Sequence, residues 1–69
     1  MKKTKVGVVV DDHKGETSLV QYVIELTQDE YDLGYHFDKA EIKASQEGYE
    51  VIRSFSEDES ISKFIKWIV

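Results

Sequence analysis

Sixty-nine residues make one domain, residues 1–69, with room for one core but not for a core and a deep substrate cleft together. The absence of cysteine excludes disulfides and thiolate metal sites and fits a reducing, cytoplasmic setting. The formal charge is −5, and from Val6 onward six basic residues stand against fourteen acidic ones, a net of −8. That balance disfavours direct binding of nucleic acid and favours a basic partner.

Lys2, Lys3 and Lys5 precede Val6-Gly7-Val8-Val9-Val10, a run closed by Asp11 and Asp12 after five residues. It is too short for a signal peptide or a membrane span, so no membrane partner is expected. Its β-branched composition predicts a buried strand, and Asp11 to Glu16, around Gly15, predicts a turn.

Thr17 to Glu30 is ambiguous. At about 100° per residue, Leu19, Val20, Tyr22, Val23, Ile24, Leu26 and Tyr31 share one face, and Ser18 with Gln21 supplies a capping box. Alternation of Val20, Tyr22, Ile24 and Leu26 suits a strand instead, but Leu19 and Val23 break it. The expectation is a helix.

Tyr31, Leu33, Tyr35 and Phe37 alternate with Asp32, Gly34, His36 and Asp38, and Ala40, Ile42 and Ala44 alternate with Glu41, Lys43 and Ser45. Both stretches predict half-buried strands, with His36 on a polar side. A helix over the second stretch would set Ile42 opposite Ala40 and Ala44. Gln46-Glu47-Gly48 predicts a tight turn with glycine at positive φ, and Tyr49 to Phe55 the return strand. Ser56-Glu57-Asp58-Glu59 is a capping box opening a helix with the apolar stripe Ile61, Phe64, Ile65 and Ile68.

The order is strand, helix, three-stranded antiparallel meander, helix: an α+β domain with helices packed on one sheet. The alternative makes 39–47 helical and gives an α/β domain, β-α-β-α-β-α, with a parallel sheet.

Candidate chemistry is sparse. Asp11, Asp12 and His13 follow the first strand, where paired acids can hold Mg²⁺ and open sheets place active sites. A solvated, charged turn is the better explanation of them, and the later strand ends lack the further aspartate and lysine of a phosphoacceptor site. His13 and His36 lack zinc-site spacing, the serines lack a nucleophile elbow, and the glycines form no phosphate-binding loop. No reaction class, catalytic residue, metal or cofactor follows.

The acidic clusters Asp29-Glu30-Tyr31-Asp32, Glu47 with Glu50, and Glu57-Asp58-Glu59 are explained blandly by helix capping and solubility. The sharper reading is a carboxylate array that imitates phosphates. Tyr22, Tyr49 and Trp67 serve either as interface anchors or as core.

From Ile42 onward the chain reads IKASQEGYEVIRSFSEDESISKFI. This resembles the hairpin-plus-helix segment of small acidic phage anti-CRISPR proteins that inhibit type II effector nucleases. Over residues 17–68 the expected order, helix, three-stranded sheet, acid-rich helix, is similar. The resemblance implies that Glu47, Glu50, Glu57, Asp58 and Glu59 contact the groove of a nuclease that reads duplex DNA. An added first strand, a one-residue gap in the last helix and a missing third helix depart from that pattern. The same order resembles double-stranded-RNA-binding domains, but Glu57-Asp58-Glu59 stands where those carry lysines on phosphates.

The expected function is therefore a non-enzymatic acidic inhibitor that binds a basic protein surface as a DNA mimic. A metal-dependent or catalytic site at Asp11, Asp12 and His13, and a small oligomerising module stabilised as a homodimer, are the alternatives.

Overall fold

A computed structural model describes residues 1–11, 15–57, 59 and 67. Five elements follow in order: β1 (Lys2–Asp11), β2 (Thr17–Leu26), α1 (Gln28–Asp32), α2 (Tyr35–Gln46) and β3 (Glu50–Ser56). The three strands form one sheet in the order β2-β1-β3, with β1 antiparallel to both neighbours. The fold is a small α+β domain.

The valine run lies in the central strand, as its composition requires. Thr4, Val6, Val8 and Val10 point to one face of the sheet and are buried there with Ile24 and Leu26 of β2. Ala40 and Ala44 of α2 close this core. Complete burial of each valine is worth roughly 1.5–3 kcal/mol, and two alanines one helical turn apart let the helix backbone approach the sheet closely.

The opposite face is also covered at its centre. Phe55 of β3 stands beside Gly7 in register, is buried, and meets Trp67 edge to face with ring centroids 5.9 Å apart. The centre of β1 is thus enclosed on both sides, which is why its apolar residues run on without alternating.

Residues 17–26 are a strand, not the expected helix. Ten consecutive registered pairs, from Lys2↔Leu26 to Asp11↔Thr17, tie β2 to β1. Leu19 and Val23, which break the alternation, lie on the second face, which is itself partly apolar. The helical signal at 17–30 arose from a strand with apolar residues on both faces.

Residues 31–37 and 40–45 are not strands. Thr27 caps α1 through a full capping box: its hydroxyl accepts from the Glu30 amide at 3.2 Å, and its own amide donates to Glu30 Oε1 at 3.0 Å. Gly34, at φ 81°, turns the chain into α2. The inward stripe of α2 is His36, Ala40 and Ala44, leaving Ile42 56 % exposed. Ile42 opposite the alanines is therefore compatible with a helix, because the sheet carries most of the apolar surface. His36 is buried, not on the surface, and stacks on Tyr31 with centroids 4.6 Å apart.

Gly48 has the expected positive φ of 91°, but it ends a helix and does not turn a hairpin. The Tyr49 amide donates to the Ala44 carbonyl at 3.1 Å and the Gly48 amide to that of Ser45 at 3.0 Å, a Schellman closure. The helix of the alternative arrangement at 39–47 is therefore present, but its parallel sheet is not: among the described residues both strand pairs are antiparallel. Ser56 ends β3, and the Glu59 amide donates to its carbonyl at 3.2 Å. The expected closing helix lies, apart from Glu57, Glu59 and Trp67, outside the described residues. No helix among the described residues is long and apolar enough to cross a membrane.

Candidate functional site

The candidate contact residues divide between the two ends of β3. Glu50 opens the strand and Glu57 follows its last residue, so roughly 20 Å of extended backbone separates them. Asp58 lies outside the described residues.

Glu57 and Glu59 sit near the amino-terminal end of β1. The Lys5 carbonyl accepts from the Glu57 amide at 3.0 Å, and the Lys5 amide donates to Glu57 Oε1 at 3.2 Å. One carboxylate oxygen of Glu57 therefore extends the β1–β3 ladder by satisfying a main-chain donor. Lys2, Lys3 and Lys5 share this end, and Lys3 pairs with its register partner Glu25 at 3.3 Å. Acidic and basic groups are mixed there.

The other end differs. Glu47 caps the carboxyl end of α2, where the helix dipole is negative and a carboxylate is unfavourable. Glu50 is the register partner of Asp11, a like-charged pair directly across two strands. Glu16 enters β2 alongside. The register thus brings Asp11, Glu50 and the start of β2 beside Glu16 to one end of the sheet, with Glu47 three residues before Glu50 in the chain.

Glu47 is held by the Tyr22 hydroxyl, which donates to Oε2. Burial of the phenol, and next this bond to a carboxylate, push the Tyr22 pKa well above the ordinary tyrosine value. The bond fixes Glu47 above the sheet. Tyr22 and Tyr49 are half-buried against the core, a structural role for both.

From this end an acidic flank continues along α2. Asp38, Glu41 and Ser45 lie on the side of α2 that faces β3 and, with Ile42, Gln46 and Val51, line a shallow groove. Glu41 Oε2 accepts from the Ser54 hydroxyl at 2.7 Å, tying helix to strand. Ile52, 53 % exposed, lies in the β3 stretch where the register with β1 shifts. An apolar floor with a carboxylate rim suits a basic partner with an apolar component. Asp38 and Glu41 escape sequence reasoning because the segment reads there as a strand; an i, i+3, i+7 test of Asp38, Glu41 and Ser45 is the signal that finds them.

The lysines of α2 lie on its other side. Lys39 and Lys43 line a groove toward β2 with Lys3, Val23 and Glu25, and Lys39 pairs with Glu30 at 3.8 Å. Of the candidate site at Asp11, Asp12 and His13, only Asp11 is described. Among the described residues, no three His, Cys, Asp or Glu side chains converge as metal ligands.

Compared with protein-family models, with curated proteins and with solved structures, the chain matches none.

Proposed function

We propose that this protein is a non-enzymatic acidic binding module that docks on the basic surface of a nucleic-acid-binding protein and blocks it. Carboxylates at the hairpin end, Asp11, Glu47 and Glu50, take the place of phosphates, with Asp38 and Glu41 extending the contact. Glu57 and Glu59, at the far end of β3, form a second contact, to which the sequence adds Asp58.

One observation carries this reading. Capping explains Asp29, Glu30 and Asp38, which lie in first helical turns where the dipole favours them. It does not explain Glu47 at a helix carboxyl end or Glu50 opposite Asp11. Both acids go against the local electrostatic preference, Glu47 even with its bond from Tyr22, and local rules are broken in this way at binding sites. A cationic partner would be favoured at both positions. Inhibition of a type II effector nuclease is the narrower form of this proposal, drawn from the resemblance of residues 42–65.

The test is a stability and binding comparison for Glu50→Lys. Removing the repulsion from Asp11 is expected to stabilise the fold by about 0.2–1 kcal/mol, while capture of a nucleic-acid-binding protein from host lysate is lost. Capture by the unaltered protein should fall with added salt and with competing duplex DNA. A captured partner that ignores both the substitution and the DNA would remove the phosphate-mimic reading.

A further inference from the structure

The two outer edges of the sheet are built differently. β3 is seven residues long, its register with β1 shifts between Val9 and Val10, and it carries Glu50 and Arg53. Short length, irregular register and charge are devices that keep an edge from pairing. β2 has none of them. It runs ten residues in unbroken register, without proline or glycine, and its single charge, Glu25, is matched by Lys3 within the same molecule. Among the described residues no strand pairs with its outer edge.

We propose that the β2 edge is a homodimer interface: a second copy of this chain adds its own β2 in antiparallel register, giving one continuous six-stranded sheet. Antiparallel partners point to the same face, so the twofold axis must pass through a residue and not between two. Centring it on Gln21 pairs Leu19 with Val23 of the second copy, and Val23 with Leu19. These are the two large apolar residues of β2 that stand about two-fifths exposed, at 39 % and 41 %. The same register sets Val20 against Tyr22, an aromatic and β-branched pair, and Thr17 against Glu25. No like charges meet. Centring on Tyr22 instead would oppose Leu19 to Glu25 and leave the apolar pair unmade.

α2 leaves room for this pairing. Beside it, an open groove bounded by Val23, Ile24, Ile42 and Lys43 borders the β2 edge. Nine paired residues per copy supply about eight to ten main-chain hydrogen bonds, and an isologous contact closes without further growth. For a domain of 69 residues, whose own core sits near the limit of independent stability, the added burial is a substantial fraction of the total.

Sedimentation equilibrium of the intact chain over a wide concentration range is the test. The unaltered protein is expected to be a dimer. Val23→Glu, whose new carboxylate faces Lys5 within its own sheet but Leu19 of the second copy, should sediment as a monomer with an unchanged far-ultraviolet spectrum. Adding Leu19→Lys should restore the dimer through a cross-copy ion pair. Should Val23→Glu not fold, Gln21→Cys decides: in a chain with no other cysteine, oxidation should link two copies rapidly, whereas Asp38→Cys should not. A monomer at every concentration, a Val23→Glu dimer, failure of the double variant to reassociate, or equal cross-linking at positions 21 and 38 would each overturn the assignment.

Discussion

The Phe55 ring lies over Gly7: a Cβ built on Gly7 would come 2.7 Å from Phe55 Cζ. Phe55 cannot move aside freely, since it is buried and meets Trp67 edge to face. Gly7→Ala must therefore shift a packed ring in the middle of the sheet. A loss of about 1–3 kcal/mol is expected, in the range for overpacked cores, seen as a lower urea midpoint with an unchanged slope. An unchanged midpoint would show that the ring is not held there.

Tyr22 and Glu47 make a titration prediction. Burial of the phenol and its bond to the Glu47 carboxylate raise the Tyr22 pKa, so an ultraviolet difference titration should show Tyr22 ionising above the ordinary tyrosine value. A group whose pKa is raised in the folded state adds stability that is fully present below the unfolded value, about 10 for tyrosine, and is lost as pH rises through the folded value. The fold should weaken in strong alkali, and Glu47→Gln should bring the Tyr22 ionisation down. A Tyr22 ionisation that is the same in both forms would deny the bond.

Much of this fold is legible in residues 1–11 and 49–56, and little in between. The valine run and the return strand are fixed by local composition. Residues 17–46 mislead because each segment carries a period that belongs to another state. β2 has apolar residues on both faces, since both faces of the sheet are partly covered, and so imitates a helix. In Tyr31 to Phe37 the alternation is an accident of two short helical pieces meeting at Gly34, whose φ of 81° breaks the chain. Buried alanines hide α2, because Ala40 and Ala44 add little to an apolar pattern although they are fully enclosed. The acids at positions 47 and 50 are legible as a cluster, but only the register with Asp11 shows that they oppose the local electrostatics.

The capping box at Thr27 was available to sequence inspection as Thr27-Gln28-Asp29-Glu30, yet it competes with the periodic signal upstream. Its two reciprocal hydrogen bonds fix the start of α1. Bonding to the Thr27 amide, first among the causes, holds the Glu30 carboxyl below its ordinary pKa. The contribution of that carboxylate is present above the unfolded value and fades as pH falls through the folded one. Thr27→Ala should lower stability by about 1 kcal/mol; because alanine keeps the main-chain amide, Glu30 should stay below the ordinary glutamate value in a carboxyl-detected magnetic-resonance series, losing only the smaller part that the hydroxyl supplies. A Glu30 value that returns fully to the ordinary one in this variant would show that the hydroxyl, not the amide, holds it down.

Thr4 offers the opposite case, a polar group whose removal should help. It occupies the helix-facing side of β1, opposite Ile24, and is 2 % exposed; its hydroxyl has no hydrogen-bond partner among the described residues. A buried hydroxyl without a partner forfeits its hydration and gains nothing in return, a penalty of about 1–3 kcal/mol. Valine has nearly the same shape, prefers a strand, and continues the row formed by Val6, Val8 and Val10. Thr4→Val is therefore expected to raise the urea midpoint, by an amount equivalent to about 1 kcal/mol once small packing differences are taken off. Thr4→Ala separates the two contributions, since it removes the hydroxyl but also leaves space, and should fall below the valine variant. If valine destabilises the protein instead, the Thr4 hydroxyl has a partner in the folded chain, and the core on this side of the sheet is wetter than its burial implies.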